Sequence, residues 1–170
     1  MTSPQEASAS YRNKGLLIDS NLLLLFFVGL HDRTWIRRFR RTAKFSIEDF
    51  DTLVGLIEGS KDIVTTPSIL TEVSNLLGQL PKNLKISFFR RFSYGLKNLH
   101  EHYAASSELA EEKCFPKFGL TDAAILQAAR GKIVVLTDDL PLVQFLQHEN
   151  IEVVNFNHLR NFHSQESPDM

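Results

Sequence analysis

Apolar residues in this chain fall into short blocks divided by polar punctuation, and the spacing changes from block to block. Leu16-Leu17-Ile18 follows Gly15 and ends at Asp19, the pattern of a buried strand. From Asn21 to Leu30 nearly every position is apolar, which predicts a helix packed on most of its faces. Ser46 offers an N-cap and Asp49 the acid of a capping box, with Phe50, Leu53, Val54 and Ile57 as one stripe, so a helix is expected over 46–58. Ile63-Val64-Thr65 reads as a second strand. Thr66 then caps a helix with Pro67 in its first position and Ile69, Val73, Leu76, Leu77 and Leu80 on its apolar face. After Pro81, residues 82–103 read as one more helix. Residues 104–118 are less regular, with a Glu-Glu-Lys run and Pro116, and suggest an insertion or mobile segment. Thr121–Arg130 reads as a helix ended by Gly131, Ile133–Leu136 as a β-branched strand, 140–148 as a helix with Pro141 in its first turn, and Ile151–Val154 as a last strand.

Strands alternating with helices imply an α/β fold: a doubly wound parallel sheet in an α/β/α sandwich, with a helical elaboration around 81–118. One domain is expected over 14–160, flanked by a disordered tail at 1–13 and a polar tail at 161–170. In such sheets ligands bind beyond the carboxyl ends of the strands. Asp19 ends one strand and Asp138 and Asp139 follow another, so residues far apart in sequence are expected on the same edge.

Composition narrows the function classes. Of 170 residues, 43% are hydrophobic and 23% charged, enough for a core and ordinary for a globular domain. A net charge of −1 argues against a strongly basic nucleic-acid coat while leaving local basic patches open. The single cysteine, Cys114, excludes an internal disulfide and a cysteine-rich zinc site. The apolar run from Leu22 to Val28 is too short to span a bilayer, and the N-terminus lacks the features of a secretory signal, so a cytoplasmic protein is expected, with no membrane partner.

The candidate chemistry lies in acids. Asp19 reads either as a cap for the following helix or as a ligand; Asn21 is positioned to cap or to orient it. Glu72 borders the apolar face of its helix, between Ile69 and Leu76, although an exposed helical Glu is commonplace. Asp122 suits a helix start through the dipole, yet shares a face with Ile125, Leu126 and Ala129. Asp138 and Asp139 are adjacent, one of them a cap, and the pattern barely separates them. Converging carboxylates repel one another, and the usual remedy is a hard divalent cation, which prefers oxygen ligands.

Leu17-Ile18-Asp19-Ser20-Asn21, Glu72 within a helix, Leu120-Thr121-Asp122-Ala123-Ala124 with Ala128-Ala129, and Val135-Leu136-Thr137-Asp138-Asp139 together resemble the PIN domain family of nucleases, over roughly residues 15–156. The resemblance implies a PIN-like doubly wound fold and an acidic quartet of Asp19, Glu72, Asp122 and Asp139 that is catalytic and holds Mg²⁺ or Mn²⁺. It selects Asp139 over Asp138 through a Thr-x-Asp pattern, with Thr137 as hydroxyl partner and Asn21 and Asp138 as accessories. It implies metal-dependent endoribonuclease activity leaving a 5′-phosphate and a 3′-hydroxyl. It also implies a possible toxin role with an antitoxin-like partner, and a homodimer.

Phosphates need cations to meet them. The dense run from Arg33 to Lys44, with Arg37, Arg38, Arg40 and Arg41, is a candidate RNA surface, with Trp35 and Phe39 for stacking; Lys82–Lys97 with Tyr94 is a second. The alternative for both is a solvated basic face with its aromatics in the core. Two other functions compete. A non-catalytic module binding RNA or protein would keep the acids as a scaffold. A haloacid-dehalogenase-type phosphatase would place a nucleophile at Asp19, but that family wants a second Asp two residues on, where Asn21 stands.

Overall fold

The computed structural model describes Arg12 and residues 14–165, with side chains as far as residue 160. The rest of the tail expected at 1–13 lies outside the described residues, as do positions 166–170. Five strands form one parallel sheet: β1 (Gly15–Ile18), β2 (Asp62–Thr65), β3 (Leu99–Glu101), β4 (Ile133–Thr137) and β5 (Val153–Asn155), in the order β3-β2-β1-β4-β5. Nine helices lie between and after them among the described residues. These are α1 (Ser20–His31), α2 (Trp35–Arg38), α3 (Ile47–Gly59), α4 (Pro67–Leu77), α5 (Lys82–Leu96), α6 (Ser106–Leu109), α7 (Phe115–Ala129), α8 (Leu140–His148) and α9 (Phe156–Gln165). This is the α/β fold with a doubly wound parallel sheet that the alternating pattern predicts.

The sheet winds outward from β1 through β2 to β3, then returns across β1 to add β4 and β5 on the other side. Right-handed crossovers send the helices of opposite windings over opposite faces. The winding reverses between β1 and β4, which pair in register from Gly15 with Ile133 to Ile18 with Leu136. A crevice therefore opens beyond the carboxyl ends of these two strands. Leu16, Leu17, Ile18, Val134, Val135 and Leu136 are all at most 1% exposed, so the strands beneath the crevice are a rigid floor. Each such buried side chain contributes about 1.5–3 kcal/mol.

Helix packing uses two close approaches. A Cβ at Gly29 of α1 would meet the Phe50 ring of α3 at 2.4 Å, and one at Gly95 of α5 would meet the Phe27 ring of α1 at 2.1 Å. Local signals in the sequence do their expected work: Ser46 and Asp49 form a reciprocal capping box, and Thr66 caps α4 with Pro67 in its first turn.

Several expectations need correction. The helix expected over 82–103 stops at Leu96, and Leu99–Glu101 is strand β3, paired with β2. Leu-His-Glu has no β-branched residue, and only the exposed edge of β2 makes it a strand. The last strand is Val153–Asn155, two residues further on at its start than Ile151. The backbone helix α9 runs through Gln165, across the boundary expected at 160/161. The segment expected to be an insertion at 104–118 carries α6 and the start of α7 and is tied to the core by Leu109 and Cys114, both 3% exposed. Among the described residues no helix is long and apolar enough to cross a membrane.

Candidate active site

Asp19 leaves β1 and caps α1. Its Oδ1 accepts from the Leu22 amide at 2.9 Å. Its Oδ2 accepts from the Thr137 hydroxyl and from the Asp138 amide, the latter at 3.2 Å. Three donors thus hold one carboxylate that is only 6% exposed. Burial, then repulsion from Asp138, raises its pKa to about 7, against the lowering effect of those donors.

Asp139 does for α8 what Asp19 does for α1: its Oδ1 accepts from the Leu142 amide at 3.1 Å. The Thr137 hydroxyl joins the two strand ends, since it accepts from the Asp139 amide at 3.0 Å while donating to Asp19. Both capping carboxylates stand at the N-termini of helices, where the backbone dipole favours negative charge.

Asp122 and Glu72 come from the helices. In α7, Gly119 has φ +81°, a left-handed conformation that breaks the helix and starts it again at Leu120–Thr121, so Asp122 sits in a fresh first turn. Burial, followed by repulsion from Asp139 and Glu72, raises the Asp122 pKa to about 6. Glu72 lies in the second turn of α4, exposed at the rim. Its Oε2 accepts from the Ser20 hydroxyl at 2.5 Å and its Oε1 from the Thr121 hydroxyl at 2.6 Å. Those hydroxyls are the immediate neighbours of Asp19 and Asp122, so Glu72 is tied to both.

These residues line one cleft of about 110 Å³, made by Asp19, Ser20, Asn21, Glu72, Thr121, Asp122, Ile125, Asp139 and Leu142. The structure thus brings together all four acids singled out in the sequence, with Asn21 at the wall. Asp138 turns away from the cleft. Its side chain, 4% exposed, pairs with Lys44 and accepts from Asn21 Nδ2 at 3.4 Å, while its carbonyl accepts from Asn157 Nδ2 at 2.7 Å. Ser20 and Thr121 escape a reading aimed at carboxylates; their position beside predicted acids is the signal that would have found them. Nothing in the local sequence points to Asn157.

The donor set is all oxygen, the chemistry that Mg²⁺ and Mn²⁺ prefer. Like-charge repulsion and burial at Asp19 and Asp122 are what a bound cation relieves. Among the described residues, no three His, Cys, Asp or Glu side chains are drawn into a ligand cage.

The basic run from Arg33 to Lys44 is largely occupied with its own fold. Arg33 pairs with Asp51 at 2.8 Å, Arg41 donates to Gln79 at 2.8 Å, Arg37 reaches the carbonyls of Ala43 and Phe45 at 3.3 and 3.5 Å, and Lys44 pairs with Asp138. Arg38 and Arg40 are exposed. Phe39, expected as a stacking ring, is 6% exposed and belongs to the core, and the half-buried Trp35 packs edge-on against Phe88. The short α2 turns Ile36 and Phe39 inward, which leaves the arginines between them outside. Comparison of the chain with protein-family models, curated proteins and solved structures gave no match.

Proposed function

We propose that the chain is a PIN-type endoribonuclease that hydrolyses RNA phosphodiester bonds with Mg²⁺ or Mn²⁺. The observation supporting this reading most is convergence: β1, α4, α7 and the end of β4 each send one carboxylate into a single cleft at the switch in sheet winding. Asp19, Asp122, Asp139 and Glu72 are the residues that would hold the cation, some through water, because Mg²⁺ keeps several waters. Bound there, the ion would lower the pKa of a water and offset charge on the scissile phosphate.

The chain's own residues supply order. The Leu22 and Asp138 amides and the Thr137 hydroxyl fix the Asp19 carboxylate in one orientation, and Ser20 and Thr121 fix Glu72. Ile125 and Leu142 are the apolar residues of the cleft lining. In the hydrolysis a water oxygen joins phosphorus, the bond to the 3′-oxygen breaks, and a proton ends on that oxygen. Arg38 and Arg40 remain exposed for phosphate contacts. A toxin role, an antitoxin-like partner and a homodimer belong to the same proposal and rest on the resemblance.

The test is cleavage of generic single-stranded RNA with Mn²⁺, with EDTA as control and Asp19→Asn as variant, alongside calorimetric Mn²⁺ binding. Cleavage that survives EDTA, or that is unchanged in Asp19→Asn, refutes the reading. A second reading, a non-catalytic RNA- or protein-binding module, is favoured by one fact: the Asp19 and Glu72 oxygens are already satisfied by hydroxyl and amide donors. RNA that binds and stays intact with Mn²⁺ present selects it.

A further inference from the structure

We infer that the outward face of α5 is a docking surface for an acidic, amphipathic peptide segment of a partner protein, separate from the cleft. Between Gln79 and His100 the chain has Lys82, Lys85, Arg90, Arg91 and Lys97 and no acid at all. Steps of three and four residues put Lys82, Ile86, Arg90, Ser93, Tyr94 and Lys97 on one side of the helix, and every one of them is exposed. The opposite side carries Phe88 and Phe92, buried against the body of the protein.

The three cations of this stripe, Lys82, Arg90 and Lys97, stand outside the ion pairs of the fold among the described residues. The same holds for Lys85 and Arg91. Lys97 lies 5.8 Å over the Tyr94 ring and Arg91 donates to the Leu30 carbonyl at 3.2 Å. That is the reverse of the 33–44 run, where four of the basic residues are held by carboxylates, an amide or carbonyls.

Ile86 is 71% and Tyr94 62% exposed, on either side of Arg90. A large aliphatic side chain gains nothing from water and is worth notice when it stands in a patterned face. Phosphates would be served by the cations and the tyrosine ring but not by Ile86. A peptide helix with carboxylates aligned to Lys82, Arg90 and Lys97, and apolar side chains about 12 Å apart to cover Ile86 and Tyr94, would use every element of the stripe. Tyr and Arg are also the residues that dominate interface energetics.

The probe is a labelled helical peptide in which Leu and Glu alternate at four-residue steps, titrated against the full chain by fluorescence anisotropy. A charge-reversed Lys peptide and a single-stranded RNA of equal length are the comparators. Tight binding of the acidic peptide, weakened about tenfold or more by Arg90→Glu with Lys97→Glu and several-fold by Ile86→Ser, supports the proposal. Acidic-peptide binding no stronger than that of the Lys peptide, or insensitive to these changes, overturns it. So does RNA binding that Ile86→Ser weakens as much as peptide binding. All the variants lie at exposed positions, and Tyr94→Ser provides an independent one. No readout depends on RNA cleavage, so failure here and failure of the nuclease reading are distinguishable.

Discussion

At the carboxyl end of the sheet, Asp19, Glu72, Asp122 and Asp139 share one cleft, and two of them hold protons far above the usual carboxylate range. At the amino end of the same strands lies a second cleft, of about 230 Å³, whose lining includes Lys14, Arg130, Lys132 and Glu152. There Lys14 pairs with Glu152, and Arg130 makes two parallel bonds to Glu112 at 2.6 and 2.8 Å. One end has charges of both signs, with Lys14 and Arg130 each paired to a carboxylate; the other is lined by charges of one sign only, gathered from four elements. Paired charges serve the fold and ask for no ligand. Gathered like charges cost the empty fold stability, and a cation binding there would recover it.

The largest expected break of this contrast is Asp122→Asn. On the proposed function it lowers cleavage by roughly 100-fold or more, comparable to losing one preorganised electrostatic contact in an active site. Because it also removes repulsion from Asp139 and Glu72, it raises the melting temperature of the metal-free protein by about 2 °C. RNA cleavage and thermal melts measure the two halves. A variant that loses both activity and stability would show that the charge is structural.

Saturating Mn²⁺ comes next. At a hundred times its dissociation constant, a ligand specific to the folded state adds about 2.7 kcal/mol. Melts with and without Mn²⁺ should show this in the wild type at pH 7.5, much less at pH 5, where Asp19 and Asp122 keep their protons, and little in Asp122→Asn. Equal stabilisation at both pH values would place the ion elsewhere.

The metal-free protein should itself respond to pH. Asp19 titrates at about 7 folded against 3.8 as an ordinary carboxyl, so between these values the folded chain holds a proton that the unfolded chain has released. The stability this contributes is complete below about pH 4 and is lost as pH rises through 7, at up to about 1.4 kcal/mol per pH unit. Asp122 adds the same trend up to about pH 6. Denaturant midpoints at pH 5 and 7 test it; a midpoint that rises with pH would contradict the burial of Asp19.

The smallest effect is expected at the amino end. Arg130→Ala removes the pair with Glu112 and costs about 0.5–1 kcal/mol, since Arg130 is half exposed, with no change in cleavage. A loss of cleavage as large as that of Asp122→Asn would erase the distinction between the two ends.

Legibility in the sequence tracked the range of the interaction. The capping box of Ser46 and Asp49, the Thr66-Pro67 helix start and the Leu16–Ile18 strand depend on neighbours within a few residues, and each lies where the pattern predicts it. β3 and α9 are held by distant partners, β2 in one case and Asp49 with the Lys44 carbonyl, gripped by Arg160, in the other. A local pattern carries little trace of either. The same division runs through the site. Asp19 and Asp139 are helix caps as well as cleft residues, so their position at strand ends betrays them. The hydroxyls of Ser20 and Thr121 matter only because Glu72, some fifty residues from each, comes between them.

By itself, then, the order of residues determined the alternation of strands and helices apart from β3, the parallel sheet it requires, and which carboxylates stand at the ends of β1 and β4, because backbone geometry and capping are decided within one or two turns of chain. Tertiary structure alone decided that Asp138 pairs with Lys44, that the arginines of 33–44 are mostly occupied, and that Lys82, Arg90 and Lys97 enter no ion pair among the described residues. Those outcomes rest on which opposite charges folding brings within a few ångströms, and pairing between distant residues leaves no mark on the spacing of either partner.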